Sequence, residues 1–129
     1  MTQKEERLLF TDICARTPYN VIVRNIKLNF DGYIMSPSNY QPICVLTTDL
    51  SGGEDQGFSP IEDIRPYLRP MNSMTEEEKI ERLRLIKEVK KYFWIDKLLD
   101  FYLSHHLDYR GLIPMGLALE APNNMYKTE

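Results

Sequence analysis

Both histidines of the chain lie in one short segment, Ser104-His105-His106-Leu107-Asp108-Tyr109-Arg110-Gly111. His105 or His106 could serve as a base or metal ligand beside Asp108, and with Arg110 the cluster could act on a phosphate-bearing substrate. A metal fits the pattern poorly. Neighbouring residues on a helix point about 100° apart, so two adjacent imidazoles do not converge on one ion. The same residues have a simpler, structural reading. Histidines in a last helical turn face free carbonyls, and Asp108 to Gly111 forms a tight turn with an internal Asp108–Arg110 pair.

A second candidate is Arg65-Pro66-Tyr67-Leu68-Arg69-Pro70. On an extended strand, alternation places Arg65, Tyr67 and Arg69 on one face, a stripe able to contact phosphate or stack on a base. Glu62 and Asp63 beside it oppose that charge, and an amphipathic edge strand would look the same. The third candidate is the charged stretch from Thr75 to Lys91, whose mixed signs at i, i+3 and i, i+4 spacing describe a solvated helix face or a partner-binding surface. No P-loop, GxGxxG or GxSxG pattern is present.

These residues need elements to position them. Thr2 and Glu5 form a capping box that opens a helix with the stripe Leu8, Leu9, Asp12, Ile13 and Arg16, closed by Thr17-Pro18. Val21 to Ile26 is β-branched and reads as a strand, followed by an Asn29-Phe30-Asp31-Gly32 turn. Tyr33–Ser36 and Ile43–Thr48 continue the meander around a Ser38-Asn39 turn. A Gly-rich mobile loop spans Asp49–Gly57, then come a short strand near Phe58, one helical turn at Pro60–Asp63 and an extended Ile64–Arg69. That order predicts a small SH3-like, five-stranded β-barrel over residues 20–70, with the proline-bearing Ile64–Arg69 at its edge.

Thr75 and Glu78 cap a long helix whose inward stripe is read as Ile80, Leu83, Ile86 and Val89, widened by Leu85 and Tyr92. A second helix is expected from Ile95 to His105, facing inward through Leu98, Leu99, Tyr102 and Leu103. A short strand follows at Leu117–Ala121, and the tail from Asn123 is expected to fray. The fold class is therefore α+β in a single domain of residues 1–129: a helix over 1–17, the barrel, and a helical region over 75–122 docked on one shared core.

The bulk properties narrow the function classes. The 129 residues carry a formal charge of −3, with residues 1–74 contributing −2 and residues 75–129 contributing −1, so neither half is a polybasic arm. Cys14 and Cys44 make neither a disulfide framework nor a zinc site and are read as buried small hydrophobes. The first residues lack an apolar signal-like stretch and no run reaches a membrane span, so a cytoplasmic location is expected. No cofactor, metal or membrane contact is expected, and the partner would be a protein or a nucleic acid.

Arg65 to Met71 with Ser73 to Glu78, and His106 to Ile113 with Leu117 to Pro122, resemble a family of small proteins from gut Bacteroidales bacteria and their phages or prophages. Asp12 to Tyr19 is similar to the start of that family. The resemblance implies a bacterial or phage cytoplasmic setting and a mobile-element role. It brings no catalytic or binding residues with it. The sequence therefore favours a non-catalytic binding module acting through Arg65, Tyr67 and Arg69. An enzyme using His105 or His106 with Asp108 and Arg110, and an assembly protein pairing through a barrel edge, are the alternatives.

Overall fold

In a computed structural model of the chain, residues 1–38, 43–51, 53–93 and 95–126 are described. Asn39 of the expected turn and Gly52 of the expected loop lie outside them. The architecture is α+β. Helix α1 (Gln3–Arg16) precedes strands β1 (Ile22–Asn25), β2 (Phe30–Ser38), β3 (Cys44–Asp49), β4 (Asp55–Pro60) and β5 (Ile64–Leu68). Helices α2 (Glu76–Tyr92) and α3 (Ile95–Ser104) and the two-residue strand β6 (Leu119–Glu120) complete it. Both capping boxes form as the sequence predicts, Thr2 with Glu5 and Thr75 with Glu78.

The strands form one six-stranded sheet in the order β4-β3-β2-β1-β5-β6. The meander and the helical turn at Ile61–Asp63 match the expected order. The sheet is open, however, with β4 and β6 at its ends, rather than a closed five-stranded barrel. Strand β5 is also internal. Pro66 sits opposite Val23 of β1, and β6 pairs in parallel with the other side of β5. Proline is tolerated in β5 because its neighbour there is so short.

The first hairpin turns earlier than expected. Residues 26–29 make the turn, with Asn29 at φ 63°, and Asp31 and Gly32 are already inside β2. Asn25 explains the shift. Its Oδ1 accepts from the Lys27 and Leu28 amides, which folds the backbone over a polar side chain. Gly32 is needed for a different reason: a Cβ there would lie 1.8 Å from the Thr48 carbonyl oxygen of β3.

Apolar burial occurs in two clusters rather than one. Leu9 and Ile13 of α1 cover the sheet through Val21, Val23, Ile34, Val45, Ile64 and Leu68, with Leu112 and Leu117 closing the end. The second cluster gathers Leu85 of α2 with Leu98, Phe101 and Tyr102 of α3 and with Leu107. The inward face of α2 is thus Leu85, flanked by Ile86 and Val89. Ile80 and Leu83, expected to face inward, are instead 67% and 56% exposed.

Candidate functional site

The segment between the two clusters carries most of the chemistry-bearing side chains. Asp12 and Arg16 lie one turn apart on α1 and are both fully buried. Asp12 Oδ2 accepts from Arg16 Nε at 2.8 Å, and its Oδ1 accepts from Arg110 Nε at 3.1 Å. Arg16 Nη2 donates to the Leu107 carbonyl, and the ring of Tyr109 lies under both guanidiniums, 5.5 Å and 5.0 Å away. Tyr109 in turn stacks on Tyr102 of α3. One buried carboxylate therefore ties α1 to the segment after α3.

The histidine cluster does not converge. Asp108 turns its carboxylate onto the backbone, accepting from the Leu112 amide at 2.8 Å and the Ile113 amide at 2.9 Å. Arg110 reaches Asp12 rather than forming the expected Asp108–Arg110 pair. His105 Nδ1 lies 2.9 Å from the Phe101 carbonyl, and its Nε2 is 3.7 Å from Glu78. His106 adopts φ 58° and stacks flat on Tyr126, with ring centroids 3.6 Å apart. Burial, reinforced by the charges of Arg16 and Arg69, pushes the His106 imidazole down to about 4. The two rings serve different neighbours, and neither meets Asp108 or Arg110 in the hydrogen bonds described.

The arginine stripe of β5 is likewise engaged inside the molecule. Arg65 Nη1 donates to the Glu62 and Ile64 carbonyls and its Nε to the Gly116 carbonyl. Tyr67 is buried and donates its hydroxyl to Asp31 at 2.9 Å. Arg69 makes a two-pronged contact with Glu78, at 2.7 and 2.8 Å, and also reaches the Ser73 and His105 carbonyls. Glu78 accepts from the Thr75 amide as well, so one carboxylate both caps α2 and fastens it to the end of β5. The Arg69 guanidinium holds that carboxyl down to about 2. The capping role of Glu78 is legible in the sequence, whereas its bond to Arg69, nine residues away, carries no local signal.

No family model, curated protein or solved structure matches this chain.

A polar cleft of about 590 Å³ opens beside the Arg69–Glu78 pair, lined also by Ser73, His105, Asn124 and Tyr126. Its far wall is the segment after β6, expected to fray and instead pegged down by a side chain. Tyr126 donates its hydroxyl to the Tyr67 carbonyl at 2.7 Å and accepts from the Ile22 amide at 2.8 Å. Burial raises the Tyr126 phenol well above its usual range, so the hydroxyl remains a donor at any ordinary pH. Among the described residues, no three His, Cys, Asp or Glu side chains are grouped to hold a metal ion. No described helix is long and apolar enough to cross a membrane.

The other surface with binding chemistry is the outward face of α2 and the elbow into α3. Ile80 and Leu83 stand on that face among charged side chains, and Phe93 at the elbow is 85% exposed in the left-handed conformation, at φ 60°. Ile95 beyond it is also exposed. A leucine and an isoleucine held more than half in water on an ordered helix are unburied by choice of register, because the same helix buries Leu85.

Proposed function

We propose that this protein is a non-catalytic interaction module whose contact surface is the outward face of α2 with the elbow that follows it. The observation that carries the reading is the exposure of Ile80 and Leu83 on a helix whose opposite side already supplies the second core cluster. A helix face that owes nothing to the fold is available to a partner. The chemistry of the histidine segment supports the same conclusion from the other side. Asp108 and Arg110 are committed to holding backbone and Asp12, and His106 is stacked under Tyr126. The Arg65, Tyr67 and Arg69 stripe gives way to α2 as the proposed surface for the same reason.

The strand order supports reading the sheet as an SH3-like barrel left open between β4 and the β5–β6 end, a scaffold that presents the helices rather than binding through its strands. The sequence resemblance supports a bacterial or phage cytoplasm as the setting. The test is a photo-crosslinking residue placed at Leu83, with one at Arg65 as the comparison. Adducts formed inside cells from position 83 and not from position 65 are expected. Adducts from position 65 alone, or none from either, would remove α2 as the contact surface.

A further inference from the structure

The exposed face of α2 has a pattern more specific than scattered apolar residues. Glu76, Ile80, Leu83, Lys87 and Lys90 follow one another at spacings of 4, 3, 4 and 3, and all five are exposed. That is the spacing by which one helix meets another along a continuous seam. The seam is acidic at its start, apolar in the middle and basic at its end.

Building on the interaction-module reading, we propose that the partner is a second copy of this chain, its α2 packed antiparallel against the first about a two-fold axis near Glu81 and Arg82. In that arrangement Ile80 of each copy meets Leu83 of the other, and Glu76 of each meets Lys87 of the other. The interface is isologous, so every favourable contact occurs twice. Charge selects the direction. A parallel pair would set Glu76 against Glu76 and stack Lys87 and Lys90 on their own copies, whereas the antiparallel pair sets opposite signs together and opposes the two helix dipoles.

The remaining charges on α2 fit the same arrangement. Arg84 is held by Glu81 and Glu88 of its own helix, which draws it off the seam. The Lys79–Glu76 pair within one helix competes for Glu76, but it is a solvent-exposed pair and holds that carboxylate only weakly. The apolar part of the seam is short, well below the roughly 1,200 Å² of a standard stable interface. The dimer is therefore weak, with a dissociation constant on the order of 100 µM, and salt-sensitive.

Sedimentation velocity from about 10 µM to 1 mM tests it, over the range that a dissociation constant of that size requires. The intact chain should shift towards dimer at low salt and return towards monomer as salt is raised. Glu76→Lys and Lys87→Glu should each weaken association about tenfold or more, since each sets like charges together at two points. An equimolar mixture of the two variants should recover it, because all four charges then face opposite signs. Both substitutions are on the surface, and an unchanged circular dichroism spectrum confirms that the fold is intact. Monomer throughout the range, or a dimer indifferent to both charge reversals, overturns the proposal. If monomer is found while photo-crosslinks at Leu83 still capture another protein, self-association fails and the interaction-module reading stands.

Discussion

Asp12 shows how one buried side chain holds distant parts of the molecule. Its two oxygens are taken by Arg16 from its own helix and by Arg110 from 98 positions along the chain. Removing its charge leaves two guanidiniums facing a neutral amide in a site where Arg16 has no access to water. Asp12→Asn should therefore destabilise the fold by about 3–5 kcal/mol, the usual range for breaking a buried pair from one side. Chemical denaturation of the purified variant measures this, and a loss below about 1 kcal/mol would show that the pair is already well hydrated. Little of this was legible in the sequence. The heptapeptide from His106 to Leu112 invites pairing of Asp108 with Arg110 because they are close in sequence. The structure instead satisfies Asp108 with two amides and sends Arg110 to α1, a choice made by tertiary distance.

At the scale of elements, the local signals were the readable ones. Both capping boxes depend on residues three positions apart, so Thr2 and Thr75 mark their helix starts without help from the rest of the chain. In the first hairpin Asp31-Gly32 has the composition of a turn, while the glycine is there for clearance beneath β3. Gly32→Ala tests this distinction. A turn glycine at positive φ replaced by alanine costs about 1–2 kcal/mol, whereas a methyl driven into the Thr48 carbonyl should cost about 3 kcal/mol or more and loosen the β2–β3 ladder. Amide exchange across Tyr33 and Thr48 reports the loosening. Helix α2 departs from its sequence pattern for a different reason. Its sequence has two apolar arcs, one through Ile80 and Leu83 and one through Leu85, Ile86 and Val89, and periodicity alone does not say which is buried. Packing against Leu98 and Phe101 decides it. Strand β4, at the open end of the sheet, is protected by Pro60 and by a register shift opposite Leu46 and Thr48, which makes edge pairing a poor route to assembly.

At the scale of the whole molecule, two apolar clusters are joined by polar bonds, with Arg69–Glu78 on one side and Asp12 with its arginines on the other. The Glu78 carboxyl, held at about 2, is ionised in the folded protein well below the 4.5 it has when unperturbed. Its contribution is therefore fully present above pH 4.5 and is lost as pH falls towards 2. Glu78→Gln should lower the urea midpoint at pH 7, and the gap to the unaltered protein should close over that acid range. His106 also loses stability to acid, between 6.5 and about 4, but it does so equally in both proteins and drops out of the comparison. A gap independent of pH would mean that Glu78 acts by shape alone.

The Tyr126 peg has a consequence for synthesis. Its hydroxyl reaches back 104 positions to the Ile22 amide. At roughly 5–20 residues per second, β1 leaves the ribosome some 5–20 seconds before the ring that seals it. For that interval the start of β1 must be hydrated, and the Tyr67 carbonyl and the His106 ring, once made, likewise wait for their partner. Until the Tyr126 ring docks this corner stays wet, and its arrival is what dries it.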